Sequence, residues 1–174
     1  MSIKETISDW FYEYSDDVYH FLVYYMGTVD VEDLVQEVFI KAMRGLKNFH
    51  HDSSPKTWLL SIARNVAIDE ARRRKRKGSD YTIPLFDHSG MDETTPENVY
   101  VRLETNRELY VAIHSLKEAY RDVLMLRGIQ GLSTRETAHI LNWKEEKVRT
   151  NYFRALKALR LKGGFLHEQS AKYS

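Results

Sequence analysis

Between Leu34 and Leu46 the apolar side chains Leu34, Val35, Val38, Phe39, Ala42, Met43 and Leu46 return at steps of three and four. Asp33, Gln36, Glu37, Lys41 and Arg44 fill the gaps. A period near 3.6 residues puts one set on one face of an α-helix and the other set on the opposite face, whereas a strand needs strict alternation. The same step occurs at Trp10, Tyr14, Val18, Phe21, Leu22 and Tyr25, ending near Gly27. It occurs again at Trp58, Leu59, Ile62, Ala63, Val66, Ala67 and Ala71, then at Leu109, Ile113 and Leu116, and in the run containing Val123, Leu124, Leu126 and Ile129. Helices of this kind must bury their stripes against each other, so the chain is expected to be all-α. Asp30 is expected to cap the helix that carries Leu34. "NFHHDSSP" breaks the period and is expected to be a loop.

One stretch does not fit this pattern. Residues 78–96, "GSDYTIPLFDHSGMDETTP", mix Gly, Ser, Asp, Thr and proline without a period. They are expected to form a flexible linker, with Ile83, Leu85 and Phe86 able to dock. A second helical set is expected from about Glu97, with Leu103 on its apolar side. Two small helical domains follow, 1–77 and 97–174, joined by the linker 78–96.

The charge is patterned too. The formal net charge is +1, but six consecutive residues, Arg72 to Lys77, are basic, at the end of the helix begun near Trp58. The first thirty residues hold one lysine and six acids, and residues 107–174 hold thirteen basic residues against seven acidic ones. Basic blocks suit polyanions; the acidic blocks suit solvent or a basic partner. Cations at a helix end also favour the helix dipole.

Several function classes find no support. The chain has no cysteine, which excludes disulfides and thiolate metal sites. Its seven histidines are dispersed and no HExxH pairing or phosphate-binding glycine loop occurs. Neither a cofactor nor enzymatic activity is expected. The N-terminus lacks a basic segment followed by an apolar run, and the longest apolar run, "FLVYYM", is far short of the roughly 20 residues of a membrane span. A cytoplasmic location without direct membrane insertion is expected.

"STRETAHILNWKEEKVRTNYFRALKALR", Ser133 to Arg160, is the most informative stretch. Ser133 and Glu136 have capping-box spacing, and Asn142 suits the left-handed turn that would end a short helix. A second helix is expected from about Lys144 to Leu161, with Leu141, Val148, Tyr152 and Leu156 inward and small Ala138 allowing close approach. This is helix-turn-helix spacing. The outward set, Lys147, Arg149, Thr150, Asn151, Phe153, Arg154 and Lys157, offers donors to phosphates and base edges and one aromatic for a thymine methyl. A helical hairpin with a solvated basic face is the plainer alternative.

"VEDLVQEVFIKAMRGLKNF", then "KTWLLSIARNVAIDEARRR", then the helix-turn-helix with "STRETAHIL" resemble, in order and spacing, the extracytoplasmic-function (group IV) family of RNA polymerase sigma factors. The likeness covers most of the chain, the linker excepted. It implies a first domain like sigma region 2, binding core RNA polymerase and melting the −10 element, and a second like region 4, reading the −35 element as duplex. By that resemblance Asp33, Leu34, Gln36 and Glu37 bind the polymerase. Ser53, Ser54 and Lys56, in "HHDSSPKTW", hold a flipped-out base, Arg64 and Asn65 read the −10 element, and Arg72, Arg73 and Arg74 lie on its phosphates. Lys147, Arg149, Thr150, Phe153 and Arg154 read the −35 element. Trp58, on an apolar face, is expected in the core. The family's association with anti-sigma factors implies such a partner, which would hold the chain inactive, in some cases at the membrane. Two departures stand out: "KEEKV" replaces the family's "SxGTV" at the start of the recognition helix, and Asn151 replaces a common Arg.

Three rivals remain. A dimeric helix-turn-helix regulator leaves the "DLVQEVF" helix unexplained. An enzyme acting on nucleic acid lacks a catalytic cluster. A pure protein-interaction module leaves the basic faces without a role.

Overall fold

Ser2 and Glu5 start the first helix with reciprocal hydrogen bonds: Glu5 N–H donates to Ser2 Oγ at 3.2 Å and Ser2 N–H donates to Glu5 Oε2 at 2.8 Å. The hydrogen bonds from Ser2 hold the Glu5 carboxyl below its ordinary pKa. This helix, α1, spans Ile3–Met26 and ends at Gly27, whose φ of 70° is the left-handed conformation that glycine adopts without strain. The computed structural model describes residues 1–78 and 106–162. The chain divides into two compact units, Met1–Thr95 and Pro96–Ser174.

In the first unit α2 spans Glu32–Gly45 and leads into a short 3-10 turn, Leu46–Asn48. Asp30 does not cap α2. The N-cap is Val31, without a side-chain hydrogen bond, and the Asp30 amide instead donates to Thr28 Oγ1 at 3.2 Å. That local turn moves the helix start one residue past the acid. Helix α3 spans Pro55–Arg76; Ser54 caps it and Pro55 fits the first turn, where no N–H is needed. The three helices pack pairwise around Val18, Phe21, Leu22, Val38, Ala42, Leu59, Leu60, Ala63 and Ala67, all essentially excluded from solvent. Each of the larger side chains contributes about 1.5–3 kcal/mol on full burial. Met43, expected on the apolar face, is 39% exposed at its margin.

In the second unit α4 spans Arg107–His114 and α5 spans Glu118–Val123. The chain continues from α5 through a π-helical turn, Leu124–Ile129, in which Gln130 N–H reaches the Met125 carbonyl at 2.9 Å. Helices α6, Thr134–Leu141, and α7, Glu145–Lys162, complete it. Ile113, Val123, Met125, Leu126, Val148, Ala155 and Leu159 are buried. The inward register of α7 differs from expectation: Ala155 and Leu159 are buried while Tyr152 and Leu156 are half-buried. The smaller Ala155 fills the close-contact position, and the bulkier Leu156 lies beside it.

The described residues contain helices and turns and no strand, and the chain is all-α with two small helical domains. The linker stretch beyond Gly78, with Ile83, Leu85 and Phe86, and the expected start near Glu97 with Leu103 lie outside the described residues.

Candidate functional site

On α2 the period separates two kinds of residue. Asp33, Gln36 and Glu37 are exposed, while Leu34, 7% exposed, faces the core and anchors the stripe from below. Glu37 pairs with Lys41 one turn on at 3.3 Å. Such exposed i,i+4 pairs are weak, so the stripe keeps its acidic, hydrogen-bonding character.

Between α2 and α3 the loop is braced by rings. Phe49 stacks on Trp58 at 4.8 Å between centroids, meets Trp10 edge-on at 5.7 Å and lies 4.5 Å from His51. Trp58 therefore packs, half-buried, as an aromatic wall of the loop. His51 has φ 58°, a left-handed conformation that costs a non-glycine residue about 1–2 kcal/mol. The three polar residues picked from the sequence here differ in freedom. Ser54 Oγ accepts from Thr57 N–H at 3.1 Å and donates to Thr57 Oγ1 at 3.0 Å, so it is committed to capping α3. Lys56 pairs with Asp17 at 3.6 Å. Ser53 Oγ is buried and makes no hydrogen bond to the described residues.

Along α3, Asn65 is exposed and Arg64 half-buried. Further on, the basic run divides into two faces. Arg73 grips Glu70 with both Nε and Nη2, at 2.9 and 2.7 Å, and Arg74 Nε reaches the same carboxylate at 2.9 Å. The hydrogen bond from Arg73 holds the Glu70 carboxyl below its ordinary pKa, against burial, and Arg74 adds to the effect. On the other face Arg72, Lys75 and Arg76 line an open groove with Asp69. Of the three arginines expected on phosphates, Arg72 thus faces the groove and the other two face Glu70. The signal was present in "EARRR": Glu with Arg three and four residues later is a helix-surface ion-pair spacing.

In the second unit Ser133 and Glu136 form the expected capping box, Glu136 N–H to Ser133 Oγ at 3.0 Å and Ser133 N–H to Glu136 Oε2 at 2.7 Å. Asn142, φ 56°, closes α6, and Trp143 N–H returns to the Ala138 carbonyl at 3.0 Å. That tight turn sends α7 across α6. Lys147, Arg149, Thr150, Phe153 and Arg154 are all exposed on α7. Phe153 is 71% exposed among cations, where an unpartnered ring has no stabilising role in the fold. Asn151 is turned aside, its amide donating to the Lys147 carbonyl at 2.9 Å. Lys147 Nζ lies 4.3 Å above the Trp143 ring, a contact at i,i+4 spacing that the sequence reading did not single out.

Among the described residues no cluster of His, Asp and Glu suits a metal ion, and no helix is long and apolar enough to cross a membrane.

Two family models match the chain: Sigma-70 region 2 over residues 10–77 and Sigma-70 region 4 over residues 106–159. The ECF RNA polymerase sigma factor SigX of Bacillus subtilis is 38% identical over 172 residues, covering 96% of this chain and 88% of the relative. The ECF RNA polymerase sigma-E factor of Escherichia coli K12 is 37% identical, covering 78% of this chain and 74% of the relative. Among solved structures, the sigma factor RpoE of Bartonella quintana, crystallised with the anti-sigma factor NepR, matches with a TM-score of 0.66 at 22% identity, over 91% of this chain and 96% of that one. At that identity the likeness is one of fold.

Proposed function

The chain belongs to the extracytoplasmic-function family of RNA polymerase sigma factors, and from that membership we propose that it binds core RNA polymerase through α2 and directs initiation at promoters read by its two domains. The observation that carries this reading is the order of the two family matches, region 2 and then region 4, in one chain. Two chemically different surfaces support it, an acidic stripe in the first match and a basic helix face in the second.

Residues 1–77 form the polymerase-binding and −10 domain, and 97–174 the −35 domain. Asp33, Gln36 and Glu37 present carboxylates and an amide to a basic protein surface, and Leu34 holds their helix in place. Opposite charge across such a contact speeds encounter and fixes register. The loop takes a base flipped out of the melted strand. Ser53 is suited to it because its hydroxyl is unsatisfied within the described residues, and an unpaired buried hydroxyl gains most from a new partner. Ser54 and Lys56 shape the loop through their contacts with Thr57 and Asp17. Asn65 and Arg64 read the adjoining bases, and Arg72, with Arg73 and Arg74 once released from Glu70, takes phosphates. On α7, Lys147, Arg149, Thr150 and Arg154 contact the −35 duplex, and exposed Phe153 meets a thymine methyl.

The protein acts in the cytoplasm, where the polymerase is, as a regulator of initiation rather than an enzyme. An anti-sigma factor, of the kind seen bound to the Bartonella relative, holds it inactive, in some states at the membrane.

Sedimentation of the purified chain with sigma-free core polymerase tests the reading. We expect a stable complex that Asp33→Ala with Gln36→Ala weakens at least tenfold, and promoter-selective run-off transcription by the wild-type complex. No complex at micromolar concentrations and moderate salt overturns it.

A further inference from the structure

Arg127 belongs to none of the surfaces above, yet from its own segment it reaches two others of the second unit. It lies on the π-helical turn Leu124–Ile129 and is half-buried. Its Nη1 donates to the Leu132 carbonyl at 2.6 Å. Its guanidinium carbon lies 5.3 Å from the centroid of the Tyr152 ring. Leu132 is the residue before Ser133, the N-cap of α6. Tyr152 lies on α7, beside Phe153 and close to Arg149. The guanidinium therefore connects the end of the α5 segment, the entry to α6 and one side of α7.

The backbone around it is arranged for that reach. A π turn advances side-chain direction by roughly one residue's rotation, about 100°, relative to a continuous α-helix. Gln130 N–H bonds Met125 and Leu132 N–H bonds Leu126, at 2.9 and 3.0 Å, closing the chain back on the turn. Gly131, φ 68°, makes the reversal. At Gly128 a Cβ would stand 3.8 Å from the Tyr152 hydroxyl oxygen, so the ring lies directly against this turn. Tyr152 is held from one side by a planar cation, which fixes a ring face rather than a point.

We propose that Arg127 is a positioning residue for duplex recognition: by holding Tyr152 against the π-helical turn, and tying that turn to the entry to α6, it sets the rotation of α7, and with it the direction of Arg149, Thr150 and Phe153. This rests on the proposed −35 reading of α7. A rotation of α7 about its own axis moves side-chain tips on its outer face by ångströms, enough to misalign bidentate contacts with base edges while leaving non-specific phosphate contacts largely intact.

The test uses the full chain assembled with core polymerase. A duplex is first enriched from a randomised pool by the wild-type complex; affinities for it and for a scrambled duplex are then measured across a salt series. We expect Arg127→Met to lower the enriched-over-scrambled affinity ratio on the order of tenfold, with the salt slope unchanged. Arg127→Lys, which keeps the charge but loses the planar face, should recover only part of the ratio, whereas Tyr152→Phe, which keeps the ring, should retain most of it. Tyr152→Leu should lose it, and the double variant Arg127→Met with Tyr152→Leu should be no worse than either single one. Should Arg127→Met prove unfolded by circular dichroism, Arg127→Lys and the two Tyr152 variants decide the matter by the same ratios. An unchanged ratio in folded Arg127→Met overturns the proposal, as does a salt slope reduced by about one on both duplexes, which marks a direct phosphate contact. Failure of the wild-type complex to enrich any duplex removes the −35 reading itself, and this proposal with it.

Discussion

Glu70 decides how many of the six neighbouring cations a polyanion meets. Its carboxylate takes three hydrogen bonds from Arg73 and Arg74, so in the free chain two cations are already paired with an anion in the geometry a phosphate would offer. Glu70→Gln should release them. We expect affinity for a non-promoter duplex to rise several-fold at low salt, with a slope against salt steeper by up to about two, read by fluorescence anisotropy. The same pairing sets a pH dependence. Because the folded-state pKa of Glu70 is lowered, its stabilising contribution is full above the ordinary carboxylate pKa and is lost as pH falls through the lowered value. Amide protection factors in the last turns of α3, corrected for the intrinsic exchange rate at each pH, should therefore fall at acid pH in the wild type more than in Glu70→Gln. The faces of these residues were legible from a 3.6-residue period. Their partners were not, because a guanidinium on a long stem reaches several acceptors and only packing selects one.

At the scale of elements, caps and turns carry the fold of the second unit. Ser133→Ala removes the hydroxyl that accepts from Glu136 N–H and should destabilise the unit by about 1 kcal/mol. Asn142→Val places a β-branched residue at φ 56° and should cost about 1–3 kcal/mol, while Asn142→Gly should be nearly neutral. Both are read as shifts in thermal midpoint, roughly 4–8 °C per kcal/mol for a domain of this size. These devices were readable in advance because each depends on neighbours within a few residues: a Ser three residues before a Glu, an Asn where a helix must stop. Asp30 departs from the expected cap for an equally local reason: its amide donates to Thr28 Oγ1 and the N-cap falls at Val31. The burial of Ala155 and Leu159 depends on how close α7 approaches its neighbours. The π turn depends on how α5 meets α6. Neither is fixed by a short window of sequence.

For the whole molecule, each unit buries its own core among the described residues, so damage should stay in the unit where it is made. Leu59→Ala empties a fully buried position in the first unit and should cost about 2–5 kcal/mol. Calorimetry should show that loss in one transition, and polymerase capture should fall with it, while the second unit keeps its own midpoint. The all-α architecture was legible because apolar stripes recur at helical spacing along most of the chain.

The three tryptophans give this arrangement an optical consequence. Trp10 and Trp58 lie in the ring cluster beside the loop between α2 and α3, where we propose base capture, their centroids 6.0 Å apart. Trp143 stands in the turn of the helix-turn-helix under the Lys147 ammonium. The molecule thus carries a native fluorophore at each of its proposed nucleic-acid contacts. Emission from the first pair would register a base entering the loop, and emission from Trp143 would register Lys147 leaving for a phosphate. With single Trp→Phe variants to separate the signals, stopped-flow fluorescence could time −10 opening and −35 engagement within one unlabelled initiation complex.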